Sequence, residues 1–471
     1  MIDNLMCNFI NDEEIIESLK YGEKLAESKE AVKAILDKAK QCKGLAHQEA
    51  SVLLHVDNQA IWEQIFQYAK EVKEHIYGKR IVLFAPLYVS NFCVNNCDYC
   101  GYKHSNSKVI RRKLSMDELA EEVKVLESLG HKRLALEVGE DPLNCSIEYI
   151  LESINTIYSV KLNNGSIRRI NVNIAATTEE NYRRLKAADI GTYILFQETY
   201  HKPTYQRLHS KGPKKNYDWH LTAMDRAMRA GIGDIGIGVL YGLYDYRYET
   251  IAMLVHAEHL EAEYGVGPHT VSVPRLRKAE NVDLSKYRYY VSDDQFKKVV
   301  AILRLSLPYV GLILSTREEA RFRDEVIALG VSQISAGSCT GVGGYVSNHE
   351  HENPLDKPQF EIGDHRSPLE IIKSLIKGGY IPSYCTACYR EGRTGDRFMS
   401  LAKSGLIHQI CEPNALITFK EYLIDYGDEE AKRLGAELIN SVLDGFKNDA
   451  LKNKIKEKLA MVESGVRDIR F

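Results

Sequence analysis

Nothing in these 471 residues approaches the ~20 consecutive apolar residues that a membrane span needs. The opening stretch, MIDNLMCNFINDEEIIESLK, has no basic start and no apolar middle, so it does not read as a secretion signal. A cytoplasmic protein is the expectation. Neither sign of charge is in excess: 62 Lys and Arg face 65 Asp and Glu, a net −3. That balance gives no reason to expect nucleic acid or an anionic membrane as a partner. Internal repeats and low-complexity tracts are missing too. Disulfides are not expected of ten cysteines in such a chain. Four of them, Cys7, Cys42, Cys145 and Cys339, are scattered and read as small buried hydrophobes.

The rest is globular in composition, with 44% hydrophobic and 27% charged residues, enough for a large domain and a smaller one. Residues 12–78 are charged, helical in pattern and poor in Gly and Pro. From about residue 80 short β-rich runs alternate with amphipathic ones. The runs are RIVLFAPLYV (80–89), RLALEVG (133–139), RRINVNIAA (168–176), TYILFQET (192–199), IGIGVLYG (235–242), TVSVPRL (270–276), GLILSTR (311–317) and QISAGS (333–338). Helical patterns between them include 116–130, 179–190, 292–309 and 367–379. Strand–helix alternation means a parallel sheet with crossover helices. Eight such units predict an α/β fold, a (β/α)8 barrel of the TIM type; a doubly wound open sheet is the alternative. The expected layout is a helical extension over 1–79, the barrel over 80–379 and a mainly helical tail over 380–471.

Six cysteines fall in two trios. CVNNCDYC holds Cys93, Cys97 and Cys100, just after the first strand. Thiolates are the usual holders of a [4Fe–4S] cluster, and three of them leave one iron open. A zinc site would want a fourth protein ligand. The position is the C-terminal mouth of the barrel, where such folds keep their chemistry. Glu198, ending the fourth strand in QETYH, is a carboxylate aimed at that mouth, with a solvated loop charge as the bland alternative. The second trio is Cys385, Cys388 and Cys411. A lone CxxC fits zinc, a redox dithiol or a cluster; the third cysteine and the first trio favour iron–sulfur, and zinc completed by a nearby His or carboxylate stays open. Arg390, Arg393 and Arg397 lie close by in sequence and are candidates to neutralise a bound anion. His256, His259 and Glu258 read as a solvated helix face.

CxxxCxxC with Tyr99 before its third cysteine, at the end of a first barrel strand, resembles the radical S-adenosylmethionine (SAM) superfamily. The resemblance implies that SAM chelates the open iron and that one electron from the cluster cleaves it to a 5′-deoxyadenosyl radical. It places the backbone around Tyr99 against the adenine. It also places Gly139 and Glu140 where the superfamily keeps a Gly-Gly-Glu stretch for the methionyl amine, with Val138 departing from the first Gly. QETYH, GIGVLYGLYDY, SVPRLR, STREEARFRD and ISAGSCTGVGGY extend the resemblance over the whole chain, to the aromatic-amino-acid lyase branch.

That branch includes a thiazole-forming tyrosine lyase and a maturase of the [FeFe]-hydrogenase; the tail trio is a mark of the second. The resemblance therefore implies cleavage of L-tyrosine to p-cresol and dehydroglycine. Conversion of dehydroglycine to CO and cyanide follows, with capture on iron as an Fe(CO)2(CN) unit. It implies a second, auxiliary cluster on the tail trio, with free L-cysteine bridging to a labile fifth iron, and His269, in GPHT, as a ligand of that iron. An electron donor and other hydrogenase maturation proteins are the implied partners. The substrate carboxylate calls for a guanidinium, and Arg317 and Arg323 flank the end of the seventh strand. The thiazole-forming lyase and a non-catalytic iron–sulfur scaffold are the competing readings. His269 precedes the sixth strand, at the opposite mouth from the first trio. Small residues in the strands, with Asn171 and Asn173 on one face, make a polar, under-filled interior and an open channel between the two trios a further expectation.

Overall fold

The computed structural model describes residues 9–162, 165–350 and 357–471. Eight parallel strands close into a barrel: β1 (Arg80–Ser90), β2 (Arg133–Val138), β3 (Arg169–Asn173), β4 (Tyr193–Ile194), β5 (Ile235–Gly238), β6 (Thr270–Ser272), β7 (Gly311–Leu314) and β8 (Gln333–Ser335). Each pairs with its successor, and β1 pairs with both β8 and β2, which leaves the eight without a free edge. β1 can serve both neighbours because it is long: residues 82–84 pair with β8 and 85–90 with β2.

The crossover helices begin where the sequence supplies caps. Ser115 with Glu118, Ser292 with Gln295 and Ser367 with Glu370 form reciprocal boxes at the starts of Met116–Ser128, Asp293–Ser306 and Pro368–Lys377. Four helices precede the barrel, from Asp12–Leu25 to Gln59–Tyr77. They pack over the helices Tyr246–Tyr264 and Asp293–Ser306. This overturns the solvated reading of His256, His259 and Glu258. His256 is buried with its Nδ1 on the Tyr200 hydroxyl, His259 holds Asp225, and Glu258 holds the ring and backbone N–H of His47.

The strand–helix order does not stop at the barrel. A ninth strand, β9 (Ile381–Ser383), runs parallel to the first three residues of β1. It leads into helices Ala387–Arg390, Gly395–Lys403 and His408–Tyr426, which bring the tail under the N-terminal ends of the strands. Of the scattered cysteines, Cys145 is buried, Cys42 and Cys339 are half-buried, and Cys7 lies outside the described residues. Among the described residues no helix is long and apolar enough to cross a membrane.

Candidate active site

At the C-terminal mouth, β1 runs into a loop carrying Cys93, Cys97 and Cys100, and all three line a cavity of about 230 Å3. The loop is clamped from three directions. The Val94 N–H donates to the Glu140 carbonyl (2.8 Å), Asp98 N–H to the Leu208 carbonyl (3.1 Å) and Gly101 N–H to the Gln359 carbonyl (3.1 Å). Asn95 ties two of these together: its Nδ2 donates to Glu140 (2.5 Å) and its Oδ1 accepts from the Lys214 N–H (3.0 Å). Gly139 is required here, because a Cβ would lie 2.3 Å from the Phe92 carbonyl oxygen. Tyr99 is buried, and its hydroxyl donates to His209 Nε2 (2.8 Å). The His209 Nδ1–H is already given to the Tyr205 carbonyl, which fixes the tautomer. Burial raises all three thiols, Cys100 to about 11 and Cys97 well above its ordinary value.

Two carboxylates flank the thiols. Burial raises Glu140, which leaves it poised between states while Asn95 orients it. Glu198 has φ +68°, a left-handed backbone that costs a non-glycine residue about 1–3 kcal/mol. The Leu240 N–H on its carbonyl (2.9 Å) and an ion pair to Lys214 (2.8 Å) hold it there. Burial alone would lower the Lys214 ammonium; Glu198 and the Cys97 thiol beside it reverse that and keep it charged. Deeper in, burial pushes Glu137 up to about 8, and it accepts from Asn173 (2.7 Å).

The structure separates the two candidate arginines. Arg317 is on the cavity wall with its guanidinium 3.3 Å from the centre of the Phe360 ring. Arg323 is not on the wall: it is fully buried, bound to Asp364 and to the Ser335 carbonyl (2.6 Å), so it is not available to a substrate carboxylate. Lys214, Asn95 and Glu137 were missed in the sequence. The only trace of Lys214 is the basic run KGPKK, which reads as a loop.

The second trio frames another, smaller cavity, of about 40 Å3, at the N-terminal mouth. Cys385, Cys388 and Cys411 line it together with Arg80, Arg133, His269, Gln333, Tyr389 and Phe398. His269, just before β6, is buried; Phe398 from the tail lies 4.4 Å from its ring centre, and Asp234 lies 3.7 Å from its Nδ1. Burial lowers this imidazole, so it is neutral, the form that ligates metals. Arg133 reaches down to the Cys385 carbonyl (2.7 Å). A hydrogen bond with Cys411, followed by the Arg393 and Arg80 cations, holds the Cys388 thiol below its ordinary value. Of the three tail arginines only Arg393 reaches the trio; Arg390 binds Asp468, and Arg397 touches the Glu391 and Gly392 carbonyls.

The two cavities share no lining residue. They meet across one strand alternation: Phe84 above Val82, Ala135 above Arg133, Ile313 above Gly311 and Ser335 above Gln333. The expected open channel is thus two chambers with one layer of side chains between them. That layer is polar, as the strand sequences predicted. Asn171 binds the Thr192 N–H (3.0 Å), and Thr270 Oγ1 and Gln333 Oε1 are buried without a partner.

Residues 87–257 match the radical SAM superfamily, and residues 272–381 match the biotin and thiamin synthesis associated domain. The chain superposes on the crystal structure of HydG, a maturase of the [FeFe]-hydrogenase, with TM-score 0.95 and 58% identity, over 98% of this chain and 100% of that one. The HydG structure from Carboxydothermus hydrogenoformans follows at 0.83 and 42%, over 96% and 99%. The 2-iminoacetate synthase of Escherichia coli (strain K12) is 30% identical over 351 residues, 74% of this chain and 89% of its own.

Proposed function

The chain belongs to the radical SAM superfamily, among the [FeFe]-hydrogenase maturases of the HydG kind, and on that premise we propose that it is a tyrosine lyase. It cleaves L-tyrosine between Cα and Cβ to p-cresol and dehydroglycine, and converts the second fragment to CO and cyanide assembled on iron as an Fe(CO)2(CN) unit. The observation that carries this reading is the placement of two cysteine trios at opposite mouths of one barrel, each in its own cavity, with a polar layer between.

Radical SAM membership brings SAM and a [4Fe–4S] cluster as cofactors. The upper cavity fits them. Three thiols stand on one clamped loop, and Ser338 Oγ lies buried on the wall without a partner. Cys93, Cys97 and Cys100 would hold the cluster; Glu140, Glu198 and the backbone at Tyr99 and Gly139 would hold SAM. When bound, the pair supplies one-electron cleavage chemistry that no side chain here provides. The protein's part is placement and exclusion of water. Lys214 fixes Glu198, Asn95 fixes Glu140, and Arg317 stands where a substrate carboxylate can be gripped in two-pronged fashion.

The tail cavity fits an auxiliary cluster on Cys385, Cys388 and Cys411. The neutral, buried His269 serves the labile iron, which is cargo, with free L-cysteine as its bridge. An electron donor and other hydrogenase maturation proteins complete the setting. The resemblance to 2-iminoacetate synthase supports the first half of the chemistry. The second half rests on the tail trio and on the near-complete cover by HydG structures. Anaerobic incubation with SAM, tyrosine and dithionite tests the reading. The expected products are p-cresol with CO and cyanide. Cresol with glyoxylate and no CO would return the chain to the thiazole-type lyase, and absence of SAM cleavage would leave an iron–sulfur scaffold.

A further inference from the structure

Guanidiniums crowd the barrel side of the tail cavity. Arg80, Arg133 and Arg169 are the first residues of β1, β2 and β3, and Arg133 and Arg169 are direct register partners. Both lie against the Tyr389 ring, at 5.6 and 3.8 Å from its centre. Each of the three has a buried Nε with no partner. Among the described residues no ion pair joins Arg133 to a carboxylate. Arg169 has only Asp189, 3.7 Å away on a side chain that is 92% exposed. One buried carboxylate, Asp234, faces the same space, bound to the Gly395 N–H and close to His269. Thr270 Oγ1, Gln333 Oε1 and His269 Nδ1 are buried and unpartnered as well.

Counter-charge for the cysteines explains one of these arginines and not the others. Burial would lower Arg80, but Cys411 and Cys385 beside it keep it charged. Burial lowers Arg169, and its charged and phenolic neighbours are Tyr389, Tyr158, Asp234 and Asp189, with no cysteine among them. A buried guanidinium without a carboxylate is costly, and unpartnered in-plane N–H groups facing an enclosed space suit an oxyanion.

We propose that Arg133 and Arg169 form an anion subsite on the barrel side of the tail cavity. It takes the carboxylate of a two-carbon α-imino or α-oxo acid and holds that fragment between the barrel interior and the tail trio. The identity of the fragment rests on the lyase reading above; the anion site rests on the arginines.

Glyoxylate, the stable two-carbon oxo acid, is the probe. Titrated calorimetrically into the cluster-loaded protein without SAM or tyrosine, it should bind saturably. The affinity should fall about tenfold or more in Arg169→Gln and recover in Arg169→Lys. In turnover, the ratio of CO to p-cresol should fall by a similar factor in Arg169→Gln, with glyoxylate appearing in solution. Arg133→Gln also breaks the bond to the Cys385 carbonyl; if it fails to fold, Arg169→Gln, which touches no cysteine, carries the test alone. Glyoxylate binding that is absent, or unchanged in Arg169→Gln, overturns the subsite. A wild-type protein that makes no p-cresol overturns the lyase reading instead, and the titration still decides the subsite.

Discussion

Glu137 lines the upper cavity with its carboxyl raised to about 8 by burial, against an ordinary value of 4.5. Between those values the folded protein keeps a proton that the unfolded chain has lost. Stability therefore falls as pH rises through that window and levels off above it. Glu137→Gln keeps an acceptor for Asn173 and removes the titration. The melting temperature of the variant minus that of the wild type should grow from pH 5 to pH 8, reflecting a few kcal/mol at most. A flat difference would mean that the carboxyl is already ionised in the fold. The cysteines make a simpler case: Cys97→Ala should abolish SAM cleavage and cresol formation together, and 5′-deoxyadenosine made by that variant would remove the trio from the chemistry. These residues could be read in the sequence because their spacing is local, three thiols within eight residues. Arg317 and Arg323 could not be told apart, because what decides between them is Asp364, 41 residues beyond Arg323, which captures it. Lys214, Asn95 and the Arg133–Arg169 pair were missed for the same reason: each acquires its role from a partner far away in the chain.

At the scale of elements, all eight barrel strands lie within the expected runs, and the runs overshoot them at their C-terminal ends. TYILFQET is β-rich over 192–199, yet the ladder assigns only Tyr193–Ile194. Leu195 and Gln197 still donate to the Gly236 and Gly238 carbonyls, and Glu198 then turns into the left-handed region. The pattern continues where the strand ends because the same residues that could pair also line the mouth. β9 escaped notice because three residues, one of them Pro382, carry no period. Yet β9 fixes the tail, delivering Cys385 two residues after its end. This placement separates the two halves of the chemistry. Replacing Cys385 and Cys388 together by Ala should leave tyrosine cleavage largely in place and remove CO release. Cresol lost as fully as in Cys97→Ala, with unchanged circular dichroism, would show that the sites are not divided. His269→Ala is the finer probe: cresol should persist while the labile iron, measured by EPR and metal content, is lost. A full complement of that iron would release His269 from the role.

At the scale of the whole molecule the question is how a fragment made at one mouth reaches the other. The barrel interior normally holds layers of bulky branched side chains. Here the level between the cavities carries Asn171, Thr192, Gly236, Thr270 and Gln333, polar or small, with two buried oxygens left without partners. Such a layer can hold water and yield to a small polar molecule, which a dry core of Leu and Ile cannot. Ala135 is the gatepost: it lines the upper cavity and stands two residues, about 7 Å of strand, above Arg133 in the lower one. Ala135→Leu should fill this point at an overpacking cost of about 1–3 kcal/mol, small enough for a barrel of this size to stay folded. Cresol should still form, because the thiols, Glu140 and Glu198 lie above the plug. CO and cyanide should drop, and the two-carbon fragment should appear in bulk solution as glyoxylate, quantified by mass spectrometry. Undiminished CO from a folded Ala135→Leu protein would mean that the fragment leaves by the upper mouth and reaches the tail cavity through solvent, and the interior route would have to be abandoned.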